Sequence, residues 1–425
     1  MSKFVIRGQR ALSGDITPVG NKNAALPMLA ACLLTEEPVT LRNLPQINDV
    51  RVMLELLEKL GVEVSQRKNT VILCAANLKS AKLDPERCRR VRGSILFAGP
   101  LLTRLQKVAL APPGGDVIGR RRIDTHFYGL HKLGARINSQ HSHTLTRKEL
   151  IGTDILLDEA SVTATENIVM AATVAKGKTT IFNAACEPHV QDLCQLLVKM
   201  GARIEGIGTN FISVHGVKKL KGATHTISPD YIEAGSYLAA AAATGGSLNV
   251  HGMSQRGVNP VIKHGFERLG VAWTVDKNTW KLPAKQTMAV NQDLHTAVPK
   301  LEDGTWPSFP SDLMSVAIVL ATQVNGSILF FEKMFESRMY FVDRLIEMGA
   351  GIVQCDPHRV MVVGPRALQG SLLTSPDIRA GMALIIAALC AKGESTIDNA
   401  QMIDRGYENI DERLRSLGAD IERIE

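Results

Sequence analysis

The sequence predicts an α/β protein of six similar units, grouped as three around each of two cores, with helices inside and sheets outside. Three observations carry this expectation. A phrase consisting of a long residue, Gly, and then Ala or Val recurs at Leu60-Gly61-Val62, Leu133-Gly134-Ala135, Met200-Gly201-Ala202, Leu269-Gly270-Val271, Met348-Gly349-Ala350 and Leu417-Gly418-Ala419. The copies lie roughly 70 residues apart, a longer period than the usual solenoids show. An amphipathic segment precedes the phrase, as in Val50 to Leu60 and Tyr340 to Met348, and a segment apolar nearly all round lies further upstream in every unit.

Taken in order, a unit opens with that apolar segment: Ala24 to Leu34, Ile95 to Leu102, Ile168 to Ala175, Tyr237 to Ala243, Leu313 to Thr322 and Met382 to Ala391. A helix without a polar face belongs in a core. A turn and a strand follow, as in Glu37-Pro38-Val39-Thr40-Leu41, Gly177-Lys178-Thr179-Thr180-Ile181-Phe182 and Gly393-Glu394-Ser395-Thr396-Ile397. The amphipathic segment is then an outer helix, its Gly falls where a helix end favours a left-handed residue, and the alternation after it, as in Val62 to Val64 or Ala202 to Ile204, predicts a strand. The first lobe is expected to span residues 22–228, and the second residues 1–21 plus 229–425. The strand Lys3 to Arg7 should pair in the second lobe beside Ile421 to Ile424, so that the chain crosses between lobes near Gly20 and Pro229 and leaves a cleft.

Composition narrows the function. A chain of 425 residues can hold two or three domains, and 45% apolar with 21% charged residues excludes disorder, collagen and coiled coil. The excess of 49 Lys+Arg over 42 Asp+Glu, a net charge of +7, favours anionic partners. At 4% aromatic residues a stacking platform for single-stranded nucleic acid is poorly supplied, which favours small anions. The seven cysteines form no Cys-x-x-Cys pair and read as buried thiols in a reducing compartment. The opening Met-Ser-Lys-Phe-Val-Ile-Arg-Gly contains no secretory h-region, and the longest apolar runs, Leu313 to Val324 and Met382 to Cys390, fall short of the roughly 20 residues needed to span a bilayer. A cytoplasmic enzyme without membrane contact is the expectation. No phosphate-binding Gly-x-x-x-x-Gly-Lys-Ser/Thr loop, His-Glu-x-x-His pair or helix-opening Gly-x-Gly-x-x-Gly is present, and the spacing of His126, His131, His141 and His143 fits no zinc pattern.

Polar residues that interrupt the apolar pattern are the candidates for a site. Lys22-Asn23, Arg92, Glu166-Asn167, Asp312 and Arg379 stand at the openings expected for buried helices, where free N–H groups and cations together suit phosphate or carboxylate. Capping or snorkelling is the alternative for any one of them. The stretch Pro112-Pro113-Gly114-Gly115-Asp116-Val117-Ile118-Gly119-Arg120-Arg121-Arg122 joins hinge-permitting glycines to a carboxylate and phosphate-pairing guanidiniums, and resembles a mobile lid, with a solvated turn as the alternative. Trp306-Pro307-Ser308-Phe309-Pro310-Ser311 leads rigidly to Asp312, whose simpler role is a helix cap, and Arg405 and Arg338 occupy comparable loops in the sixth and fifth units.

Five phrases in order, Gly20-Asn21-Lys22-Asn23-Ala24-Ala25-Leu26-Pro27, Pro113 to Gly119, Ala160-Ser161-Val162-Thr163, Phe309-Pro310-Ser311-Asp312 and Asp404-Arg405-Gly406-Tyr407, make the whole chain resemble the UDP-N-acetylglucosamine 1-carboxyvinyltransferases, the enolpyruvyl transferases that open peptidoglycan precursor synthesis. The resemblance implies two lobes, each an inside-out α/β barrel of three βαβαββ-like repeats. It also implies that phosphoenolpyruvate and UDP-N-acetylglucosamine are the substrates, with no metal or organic cofactor. Lys22, Asn23, Arg121, Arg379 and Arg405 are then expected at phosphoenolpyruvate, and Lys22, Asp116, Asp312 and Arg405 as the catalytic set. For the sugar nucleotide the expected residues are Asn23, Arg92, Arg121, Arg122, Ile123, Asp124, Thr125, Glu159, Ala160, Ser161, Val162, Thr163, Asp312 and Met334.

The chain departs from the family where it matters. Asp116 replaces the cysteine that is commoner there, so a carboxylic acid would protonate the substrate; burial or the bound anion must then favour its protonated form. Fosfomycin, which alkylates that cysteine, is expected to fail. Arg122 stands where proline is usual, Glu159 where lysine is frequent, and Tyr231 where arginine is common. A paralogue using another sugar nucleotide, a catalytically silent sugar-nucleotide-binding regulator, and a basic nucleic-acid binder using Arg87 to Arg92 and Arg120 to Arg122 are the alternatives. The shikimate-pathway enolpyruvyl transferase shares the fold but lacks these phrases.

Overall fold

The glycine of each repeated phrase has a positive φ, between 72° and 106° at Gly61, Gly134, Gly201, Gly270, Gly349 and Gly418. That left-handed turn ends an outer helix and releases the chain into the next strand, which is why the phrase recurs. A computed structural model describes residues 2–116, 118–138, 143–255 and 257–425. It divides into two units, Gly20–Asp116 with Arg122–Ser228 (the N-terminal unit), and Met1–Val19, Val117–Arg121 and Pro229–Glu425 (the C-terminal unit).

The N-terminal unit is built on inner helices α1 (Lys22–Ala31), α2 (Ala98–Arg104) and α3 (Val162–Ala172). In α1 every residue but Asn23 is buried. Three sheets cover this core: Thr224–Thr226, Val39–Arg42, Thr70–Cys74 and Glu63–Arg67; then Lys107–Leu110, His143–Thr146 and Arg136–Asn138; then Asp154–Leu156, Lys178–Phe182, Phe211–His215 and Arg203–Glu205. Strand alternation sets their faces, so Val71 and Leu73 are buried while Ile72 is exposed.

The C-terminal unit repeats the plan on α4 (Tyr231–Ala243), α5 (Ser311–Ala321) and α6 (Ile378–Cys390). Its sheets run Gly14–Ile16, Leu248–Val250, Thr279–Leu282, Thr274–Asp276; Lys300–Glu302, Gly326–Phe331, Arg359–Gly364, Ile352–Asp356; and Leu372–Thr374, Glu394–Asp398, Lys3–Arg7, Asp420–Ile424. The strand Lys3–Arg7 is antiparallel to both neighbours, with Phe4 opposite Ile397 and Arg423.

Two local expectations change. Helix α3 begins at Val162, after Ser161, so Glu166 and Asn167 lie a turn inside it rather than at its opening, and both are buried. The segment Tyr340 to Met348 is not one helix but the end of a tight turn, Arg338–Phe341, followed by Val342–Glu347. At both crossings a strand stays behind: Gly14–Ile16 pairs in parallel with Leu248–Val250 although α1 follows it, and Thr224–Thr226 pairs with Val39–Arg42 although α4 follows it.

Candidate functional site

Helices α1, α4, α5 and α6 carry charged or capping residues at their first turns, and each unit gathers one group. In the N-terminal unit, Asn21 caps α1 by accepting the Ala24 N–H at 3.0 Å. This sets Lys22 at the helix start, only 8% exposed, with its Nζ 2.8 Å from Oδ2 of buried Asp49. A buried ammonium needs such a partner. Asn23, next along, is half-buried. Arg92 opens the turn before α2 and donates to the Arg122 carbonyl at 3.1 Å.

Arg122 bonds Asp124 at 2.9 Å and lies 3.3 Å from Asp158; its own pKa is raised by the bond to Asp124 and the charge of Asp158. Thr125 is buried, with its hydroxyl oxygen 3.0 Å from Asp158 and 3.2 Å from Glu159, and its single hydrogen ties one of these carboxylates at a time to the outer helix that follows Ile123. Ala160, Ser161, Val162 and Thr163 form the start of α3, half-buried. A hollow of about 530 Å³ lies along the outer helix beside Asp124, Phe127 and Tyr128. Below Thr163, Glu166 is fully buried, and burial, then the charge of Glu187, pushes its carboxyl well above the ordinary range.

In the C-terminal unit, Asp312 occupies the first turn of α5, with one oxygen 3.2 Å from Arg338 and the other 2.8 Å from Arg379. Both guanidiniums are buried, at 2% and 6% exposure. Burial works against the charge of Arg379, but Asp312 beside it, with Tyr407 and Asp230, raises its pKa. Asp377 caps α6 by accepting the Arg379 and Ala380 N–H groups, and the Arg379 guanidinium covers the Tyr407 ring at 5.5 Å. Arg338 and Arg121 both face the Phe335 ring, at 5.0 and 6.0 Å. Arg405 is half-buried two residues before Tyr407, with Nη1 3.3 Å from the Met402 sulfur. Met334, beside Phe335, is 39% exposed.

Below this group Glu332 is fully buried. It accepts from Ser311, Met334 N–H and Phe335 N–H at 2.9, 3.2 and 3.1 Å, and burial, with a bond shared with Asp303, pushes its carboxyl up against the pull of Arg338.

The structure thus brings Asp312, Arg379, Arg121 and Arg338 into one chain of contacts, and Arg92, Arg122, Asp124, Thr125 and Glu159 into another. Asp116 is half-buried at the end of the segment counted with the N-terminal unit, while Arg121 is counted with the other; Val117 between them lies outside the described residues, as does His141. Glycine is required at 114, because a Cβ there would lie 1.7 Å from the Arg89 carbonyl oxygen. Tyr231, at the position where arginine is common, is buried against Trp306, ring centres 6.0 Å apart.

Sequence reasoning missed Asp49, Asp377, Glu332 and His126; Asp49 pairs with Lys22 and Glu332 accepts from Ser311, both distant in the chain, whereas Asp377 is a local helix cap that the apolar pattern passed over. Among the described residues no group of three or more His, Cys, Asp and Glu is arranged to hold a metal ion, and no helix is long and apolar enough to cross a membrane.

A family model described as EPSP synthase (3-phosphoshikimate 1-carboxyvinyltransferase) matches residues 6–414. The chain is 52% identical over 423 residues to a UDP-N-acetylglucosamine 1-carboxyvinyltransferase of Treponema denticola, covering 99% of each. It is 53% identical over 425 residues to the enzyme of that name from Bradyrhizobium diazoefficiens, covering 99% of this chain and 98% of that one. Among solved structures it is similar to the enolpyruvyl transferase NikO from Streptomyces tendae, with a TM-score of 0.87, 23% identity, and coverage of 99% and 98%. An EPSP synthase from Acinetobacter baumannii gives 0.75, at 17% identity and full coverage of both chains (100%). At these identities the two structures speak for the fold, a mixed α/β arrangement of small sheets around buried helices that is the enolpyruvyl transferase fold.

Proposed function

The chain belongs to the UDP-N-acetylglucosamine 1-carboxyvinyltransferases, and on that premise we propose that it transfers the enolpyruvyl group of phosphoenolpyruvate to the 3-hydroxyl of UDP-N-acetylglucosamine, releasing phosphate as the first committed step toward peptidoglycan precursors. The observation that carries the reading is the Asp312 cluster, a carboxylate at a helix start flanked by two buried guanidiniums, in a chain matched along its whole length. Such preset charge suits a substrate that brings its own anions and leaves as phosphate.

In this reading Lys22, Arg121, Arg379 and Arg405 hold the phosphate and carboxylate of phosphoenolpyruvate, with Asn23 at the reacting sugar. The sugar oxygen bonds to C2 as Asp312 takes the hydroxyl proton, and Asp116 gives a proton to C3. The tetrahedral intermediate then loses a C3 proton and its C2–O bond to phosphate, which restores the double bond. Arg92, Arg121 to Thr125, Glu159 to Thr163 and Met334 face the sugar nucleotide. The protein's own side chains suffice for these steps, so no cofactor is invoked. Seven cysteines, an odd number with no Cys-x-x-Cys pair, support a reducing compartment, the cytoplasm.

The test mixes purified protein with phosphoenolpyruvate and a panel of sugar nucleotides and follows inorganic phosphate. Release with UDP-N-acetylglucosamine alone is expected. Release with a different acceptor would redirect the assignment, and none with any acceptor would end it.

A further inference from the structure

The hydrogen inventory around His126 fixes the direction of a hydroxyl in the acceptor site. Asn167, fully buried in α3, is held from three sides. Its Oδ1 accepts the Gly99 N–H at 2.8 Å, its Nδ2 donates to the Ile95 carbonyl at 2.8 Å, and the same Nδ2 lies 2.9 Å from Nδ1 of His126. A backbone N–H only donates and a carbonyl only accepts, so the amide cannot be turned round. Glycine is required at 99 for this approach, since a Cβ there would come within 2.4 Å of the Asn167 carbonyl oxygen. Of the two amide hydrogens one goes to Ile95 and the other to His126 Nδ1, which must therefore be bare.

The hydrogen of His126 then sits on Nε2, 3.0 Å from Thr163 Oγ1. A second ring proton would meet the Asn167 hydrogen head-on. Burial, and after it the charge of Arg92, also disfavour it, pushing the His126 pKa down to about 3. A neutral imidazole with its hydrogen on Nε2 donates to Thr163. A hydroxyl has a single hydrogen, so that of Thr163 points away from the ring.

We propose that His126 is a positioning residue for the sugar nucleotide: by donating to Thr163 it turns the Thr163 hydroxyl into an outward donor, matched to an acceptor-only oxygen of the nucleotide's pyrophosphate. This rests on the assignment of Glu159 to Thr163 to the sugar nucleotide. Thr163 is half-buried at the second position of α3. Arg122 is already engaged by Asp124 and Asp158, so a neutral donor takes on part of the recognition. The relay runs from the turn before α2 through α3 to the outer helix Asp124–Lys132 and back to the first turn of α3, so the hydroxyl's direction is set by packed elements rather than by solvent.

Two measurements on the full chain test this. Imidazole ¹⁵N spectra should show His126 with a pyridine-type Nδ1 and a pyrrole-type Nε2, unchanged from pH 8 to pH 5; the opposite tautomer, or a protonated ring at pH 6, overturns the proposal. Calorimetric titration with UDP-N-acetylglucosamine should show Thr163→Val weakening binding about tenfold, the size expected for a lost hydrogen bond to a charged group, with Thr163→Ser restoring it. His126→Phe should weaken it severalfold, and the Thr163→Val/His126→Phe double variant should bind no worse than Thr163→Val. In steady state the loss should appear in the KM for the sugar nucleotide rather than that for phosphoenolpyruvate, a split that loosened packing would not produce. Additive losses overturn the relay even if the wild type turns over. A wild type that binds the nucleotide and shows the coupling but releases no phosphate overturns the enzymatic assignment and leaves the relay standing.

Discussion

Asp116 carries the sharpest consequence of a single side chain, because a carboxylate offers no thiolate for an epoxide to alkylate. The wild-type enzyme is expected to keep its activity through prolonged exposure to fosfomycin, and Asp116→Cys to lose it progressively and irreversibly; rapid inactivation of the wild type would remove Asp116 from the reacting position. At this scale the sequence announced the odd residues but not their partners. Lys22, Arg379 and Asp312 were legible because a charge at the start of an apolar helix breaks a pattern. Asp49, which neutralises Lys22, sits 27 positions away in an ordinary amphipathic helix, and nothing local marks it. His126 looked like one of four neighbouring histidines whose spacing fits no zinc pattern, and only the buried amide of Asn167 shows what it does.

Among the elements, α4 shows how a helix start can make stability depend on pH. Glu233, in its first turn and 1% exposed, accepts the Val19 N–H at 2.8 Å and lies 3.2 Å from Arg413. Burial raises its pKa from 4.5 to about 7, with Asp230 and Glu408 adding to the shift and Arg413 and the Val19 bond opposing it. The folded chain therefore keeps a proton that the unfolded chain releases, and stability falls as pH rises from about 4.5 to about 7. The whole effect is on the order of 3 kcal/mol, at about 1.4 kcal/mol per pKa unit. Glu233→Gln should remove it: the variant's melting midpoint should gain on the wild type between pH 5 and pH 8, and a constant difference across that range would refute the linkage. The inner helices were legible from apolar runs, yet all but α2 start two to six residues earlier than those runs. Their first turns hold the polar caps and charges that a hydrophobicity pattern discards. The tight turns at Arg92–Phe97 and Arg338–Phe341 run into segments that the sequence reads as continuous helix, Ile95 to Leu102 and Tyr340 to Met348.

For the whole molecule the sixfold plan was readable, because every outer helix needs the same left-handed glycine to end it, whereas the strands left behind at each crossing were not, since a three-residue strand has too little pattern to declare its partners. Those exchanged strands make an uneven pair of halves. Residues 20–228 contain every strand of their own three sheets, while residues 229–425 lack Gly14–Ile16 and Lys3–Arg7. A fragment of residues 20–228 is expected to melt cooperatively, and one of residues 229–425 to do so only when a peptide of residues 1–19 is supplied; cooperative melting without the peptide would contradict this.

The strand Lys3–Arg7 lies between Glu394–Asp398 and Asp420–Ile424, not at an edge. During synthesis, then, Lys3–Arg7 must stay unclaimed until its partners roughly 390 and more residues later have been translated, while residues 20–228 settle earlier. A strand kept waiting in this way is a natural client for a chaperone, and slowing translation ahead of residues 394–424 should lengthen that wait.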